Sequence, residues 1–154
     1  MGRLKKFSRL TPAERSLWIK TACLLAVMRP ALALLPLRVL RDALASRWRE
    51  GSVVPGPGAP TLRQIIWAAQ SAARFVPGAT CLVQSLSVLR LAISAGYPVT
   101  LKIGTAKEID GTLKAHAWVE HQGEIILGAA EENLYTPLLV WTEQGWHAAG
   151  SEQS

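Results

Sequence analysis

The chain of 154 residues contains two cysteines, Cys23 and Cys81, too few for a disulfide framework, so a reducing cytoplasm is its natural setting. It has no Cys-x-x-Cys pair and no zinc-helix spacing, and His116 and His121 stand five apart in what reads as one strand, on opposite faces, so no metal cofactor is expected. No glycine loop of the phosphate-cradling kind occurs, which argues against a bound nucleotide cofactor. Arg29, Pro30 and Pro36 interrupt the most apolar stretch, so no run of about 20 apolar residues is left for a membrane span. A signal peptide is not expected either, because Glu14, Arg15 and Lys20 precede the apolar region and no small-residue cleavage site follows it. There is no internal repeat, and no nucleic-acid motif accompanies the basic residues.

What is present suits a small protein with a sizeable core, at 49% hydrophobic residues. Thr11-Pro12-Ala13-Glu14 combines a capping threonine, a proline at the first helical position and a glutamate placed to bond back, so a helix is expected from there to about Met28. Cys23, in the run Ala22-Cys23-Leu24-Leu25, reads as core. Trp18, Leu24, Leu25 and Leu32 are expected to pack on the rest of the protein, with peripheral membrane contact as the alternative use of the same residues. Gly51 to Pro60 is rich in proline and glycine and reads as a linker. It divides residues 1–60, a basic helical extension, from a core at 61–150, and the tail after Gly150 reads as disordered. Residues 1–50 hold 11 of the 17 Lys and Arg but three of the 11 acids, a net +8, whereas the remainder carries −2. This basic lobe could meet an acidic partner, a membrane surface or nucleic acid, or be simply a solvated helical face; as a docking surface it would be tested at Arg38, Arg41 and Arg47.

The core opens with a helix through Leu62, Ile65, Ile66, Ala69 and Ala73 and a Pro77-Gly78 turn. Thr80 then caps a second helix, whose apolar residues recur at Leu82, Leu86, Leu89 and Ile93 before Gly96 and Pro98 end it. Cys81 therefore stands in the first turn, where unpaired N–H groups favour negative charge and can hold an oxyanion. Thiols attack as thiolates, so such a place suits a nucleophile as well as it suits a buried structural cysteine. Val99 to Ile103 and Ala115 to Glu120 alternate as antiparallel strands, and Gln122-Gly123 reads as a two-residue turn into Glu124 to Leu127. His116, Trp118 and Glu120 share one face. A nucleophile at a helix start and an imidazole in a following strand are the two parts of thiol catalysis.

In order, Cys81-Leu82-Val83-Gln84-Ser85-Leu86, Ile103-Gly104, Ala115-His116-Ala117-Trp118-Val119-Glu120, Gln122-Gly123 and Tyr135-Thr136-Pro137-Leu138 resemble the transglutaminase-like cysteine peptidases of lasso-peptide biosynthesis, in their stand-alone form. The resemblance is strong from Thr61 to Leu139. It implies an α+β fold with a transglutaminase-like, papain-like core, a nucleophile helix packed on a small antiparallel sheet, and an N-terminal helical extension. It also implies cleavage of the leader from a ribosomally made precursor peptide, with Cys81 as nucleophile and His116 as base and then acid, before an ATP-dependent cyclase closes the ring. The family's leader-recognition module is not evident in residues 1–60, so a separate recognition protein is implied.

The family places an acid on the strand after the histidine. Counting back from the Gln122-Gly123 turn sets His116 opposite Ala129, so Gly128 and Ala129 occupy that region. A bulge would bring Glu131 back as the third member, with Glu132 pointing away; a carbonyl or amide could orient the ring instead. Glu120 is a poorer candidate, two positions along the same face. Two rival readings remain, a non-catalytic scaffold of the maturation complex and an acyl-transferring transglutaminase.

Overall fold

A computed structural model describes residues 10–36, 39, 55–128, 135–142 and 145–150. Helix α1 spans Pro12–Leu34 behind a full capping box, in which Thr11 Oγ1 accepts from the Glu14 N–H at 3.2 Å and the Glu14 carboxylate accepts from the Thr11 N–H at 2.8 Å. It does not end near Met28, as the sequence suggested, but runs through Pro30. The proline withholds the donor that would meet the Ala26 carbonyl, and both residues lie on the exposed side, where water replaces it. Leu17, Thr21, Leu25 and Met28 form the buried stripe. Cys23 faces the opposite way and is exposed, so the assignment of this thiol to the core is corrected: helical periodicity, not the apolar run around it, decides its face. With Pro30 included, α1 is long and apolar enough to cross a membrane, at mean hydropathy 1.5 over an 18-residue window of which 22% is buried. In the structure it lies against two further helices, with Trp18, Leu24 and Leu32 packed on the core and Leu25 inside it.

Helix α2, Leu62–Ala73, repeats the capping box with Thr61 and Gln64 and buries Ile65, Ala68, Ala69 and Ala72. Its small residues let α1 and the next helix approach closely. Helix α3, Cys81–Ser94, is capped by Thr80 and buries Val83, Leu86, Val88, Leu89, Ala92 and Ile93. The described part of the presumed linker, residues 55–60, contains no helix or strand.

Five strands follow: β1 Thr100–Lys107, β2 Leu113–His121, β3 Glu124–Leu127, β4 Thr136–Thr142 and β5 Gly145–Ala148. They form one antiparallel sheet in the order β3-β2-β1-β4-β5. Gln122 (φ 53°) and Gly123 (φ 83°) close the β2–β3 hairpin as a two-residue turn with both residues left-handed, as expected from Gln-Gly. The β1–β2 turn uses Asp110, whose carboxylate accepts from the Thr112 hydroxyl at 2.7 Å and the Thr112 N–H at 2.9 Å; these bonds hold its carboxyl below the usual aspartate range. Helices cover one face of the sheet, where Leu101, Ala117, Val119, Leu127 and Trp141 join the helical residues in the core. An α+β domain of helices on a small antiparallel sheet, with a long helix at its N-terminal side, is the fold class the sequence implied.

Candidate active site

Cys81 is the first residue of α3 and is half-buried, with a free thiol. Its amide environment follows from the cap. The Val83 N–H donates to Thr80 Oγ1 at 3.4 Å and the Gln84 N–H to the Thr80 carbonyl at 3.0 Å, which leaves the N–H groups of Cys81 and Leu82 without a partner among the described residues. Two adjacent unpaired amides at a helix start are suited to an anion beside the sulfur. Before them, Gly78 adopts φ +75°, and the Arg29 guanidinium from α1 occupies the space a side chain there would need. Arg29 of α1 thus lies against the turn that precedes Cys81.

The helix is tied to the sheet by a buried hydroxyl: Ser85 Oγ donates to the Ala117 carbonyl at 3.2 Å. Cys81 precedes Ser85 by one turn, about 6 Å along the axis, or about two residues of a strand running alongside. The bond anchors α3 to β2 one helical turn after Cys81. The sequence offered no signal for Ser85 beyond a polar residue in an apolar helix.

His116 shares its face with Trp118 and Glu120, alternating with the helix-facing Ala117 and Val119. Its ring stacks on Trp118, with centroids 6.2 Å apart and planes 19° apart, and meets Tyr135 at 5.1 Å. Nε2 lies 2.8 Å from the Gly128 carbonyl oxygen. Trp118 is itself fixed, its Nε1 donating to Glu120 Oε1 at 2.9 Å, and Glu120 also pairs with Lys102 at 2.9 Å. Glu120 is therefore engaged away from His116. Gly104 makes room for this arrangement, since a Cβ there would stand 2.7 Å from the Thr136 carbonyl oxygen and 3.1 Å from the Trp118 ring. Beside the two aromatic rings opens a groove of about 590 Å³, lined by Trp118, Glu120, Gly123, Glu124, Ile125, Tyr135 and Pro137.

Cys81 and His116 come from packed elements, Cys81 in the helical layer and His116 against Trp118 on the face of β2 that alternates with the helix-facing Ala117 and Val119. Among the described residues no hydrogen bond joins Sγ to the ring. Such bonds are commonly long without substrate and tighten when it binds. Glu131, Glu132 and Ala129 lie outside the described residues. The register leading to them is shifted: Val119 pairs with Leu127 but Glu120 with Ile125, a bulge that offsets the ladder by one from the simple count off the turn. His121 serves elsewhere, with Nδ1 2.6 Å from the Pro98 carbonyl oxygen and its ring edge-on to Tyr97. Among the described residues no group of three or more His, Cys, Asp and Glu is placed to hold a metal ion.

Residues 22–140, from the middle of α1 to β4, match the Transglutaminase-like superfamily. The chain belongs to that superfamily. A transglutaminase-like domain with a cysteine opening a helix against a histidine-bearing strand is compatible with cysteine peptidase or transglutaminase activity, two outcomes of one acyl-thioester chemistry. No curated protein and no solved structure matches the chain.

Proposed function

We propose that this transglutaminase-like protein is a cysteine peptidase that removes the leader from a ribosomally made lasso-peptide precursor. The observation that carries the thiol chemistry is Cys81 at the capped start of α3, with two unpaired amides, on a helix tied to the strand of His116 by the Ser85–Ala117 bond. The Cys81 thiolate attacks the leader–core carbonyl carbon, its proton having passed to Nδ1 of His116. The amides of Cys81 and Leu82 hold the tetrahedral oxyanion. As the C–N bond breaks, His116 returns the proton to the departing amine, and water then hydrolyses the thioester and regenerates the thiol. The groove beside Trp118 and Tyr135 is of a size for several residues of an extended peptide. The leader specificity rests on the ordered motifs from Cys81 to Leu138. In this reading a separate recognition protein delivers the precursor in the cytoplasm, and an ATP-dependent cyclase uses the product. Arg38, Arg41 and Arg47, which lie outside the described residues, form the candidate docking surface, and charge reversal there should abolish stimulation by the recognition protein.

The test is Cys81→Ala, which should abolish leader cleavage while the protein stays folded and binds precursor; full cleavage by that variant would sink the mechanism. Alkylation tests the pairing with His116 directly. Cys81 should react with iodoacetamide at neutral pH faster than Cys23, and His116→Ala should erase the difference. Equal rates in the parent would separate the two residues functionally.

A further inference from the structure

We infer that the backbone carbonyl of Gly128 is the group that positions His116, in the place where the family's pattern puts an acidic side chain. The inference deepens the thiol-hydrolase reading and rests on it for its catalytic meaning. A carbonyl oxygen only accepts, so the 2.8 Å contact requires the proton on Nε2 and leaves the lone pair of the neutral ring on Nδ1. Nδ1 is then the base, and its direction is set by the ring's other nitrogen.

Three features of the chain converge on this contact. The bulge at Ile126 ends regular pairing at Leu127, so the next residue is released from the ladder beside β2. That residue is glycine with φ +87°, and a Cβ on it would lie 2.9 Å from the Ala117 carbonyl oxygen, 2.9 Å from Trp118 Cβ and 3.1 Å from Trp118 Cα. Any other residue would force the backbone away from β2 and take the carbonyl with it. The third feature is the competing acid: Glu120, on the ring's own face, is spent on Trp118 Nε1 and Lys102. Trp118 and Tyr135 then fix the plane of the ring, so that one hydrogen bond suffices to fix its rotation. A neutral partner has a chemical consequence. It orients the ring at every pH, whereas a carboxylate would do so only when ionised, so turnover should show no acidic limb from an orienting acid.

Long-range proton–nitrogen correlation spectra of the full-length, nitrogen-15-labelled protein read the tautomer without any assay of activity. His116 should appear as the Nε2–H form, in contrast to His121, whose bond to the Pro98 carbonyl requires Nδ1–H. Glu131→Gln should leave the His116 pattern unchanged. Gly128→Ala should convert it to exchanging tautomers and lower kcat about ten- to a hundredfold with KM changed far less. If Gly128→Ala does not fold, the parent and Glu131→Gln spectra decide alone. An Nδ1–H or exchanging ring in the parent, or a tautomer switched by Glu131→Gln, would overturn the assignment. A protein with the expected spectrum that cleaves no precursor would overturn the peptidase reading and leave the carbonyl contact standing.

Discussion

The two faces of strand β2 obey different rules. Ala117 and Val119 face the helices at 2% and 0% exposure, in a core where any close-packed apolar residue of the right volume would serve. One residue away, His116, Trp118 and Glu120 hold a network of directed contacts, His116 Nε2 with Gly128, Trp118 Nε1 with Glu120, and Glu120 with Lys102. The first face is fixed by volume and the second by atom positions. Substitutions on the helix-facing side should therefore register as stability, and those on the other as turnover.

The sharpest break of that contrast is His116→Ala. On the proposed mechanism its loss should cut turnover about 100- to 10,000-fold while the melting temperature shifts little, because the ring is only half-buried. A large loss of stability with turnover retained would erase the distinction. Leu101→Ala, fully buried on the helical side, should cost about 2–5 kcal/mol in urea unfolding and leave alkylation of Cys81 in the folded protein unchanged. Ser85→Ala joins the two regimes. It should cost about 1 kcal/mol and also slow turnover, since that bond anchors the helix of Cys81 to the strand of His116. An unchanged rate in the folded variant would show that the helix keeps its place without that bond.

The smallest effect is electrostatic and remote from both faces. Because hydrogen bonds from Thr112 lower the carboxyl pKa of Asp110 in the folded state, its contribution is present above the usual aspartate range and is lost as pH falls through the folded value. Asp110→Asn should flatten the acid side of the stability curve slightly and leave turnover untouched. An equal acid slope in variant and parent would mean that the turn is already loose in solution.

Elements whose order is local were legible in the sequence. The Thr11 box, Thr61 and Thr80 announce the starts of α1, α2 and α3, and Gln122-Gly123 announces a two-residue hairpin. The end of α1 was not, because Pro30 is decided by whether the orphaned carbonyl faces water, which depends on packing. Cys23 was misplaced for the same reason. The strands β4 and β5 carried no alternation strong enough to mark them; β4 takes its place from β1, far away in the chain, and β5 then pairs with β4. In the site, Cys81 and His116 stood out by their settings, whereas the bulge at Ile126 and the reach of the Gly128 carbonyl arise only when β2 and β3 twist together. A count off a turn has no means of seeing a bulge.

Gly128 and Tyr135 bound a connection between β3 and β4, strands separated in the sheet by both β2 and β1, and each touches His116. The imidazole is thus gripped at both ends of the one non-sequential link in the sheet. Local helices and hairpins assemble fast, but a link of this kind waits for the distant β1–β4 pairing to close. By that rule α3 should form before the ring of His116 is fixed. On the ribosome, where the chain emerges amino end first, a protein made as far as β3 has Cys81 and His116 but not yet Tyr135, one of the two residues that hold the ring.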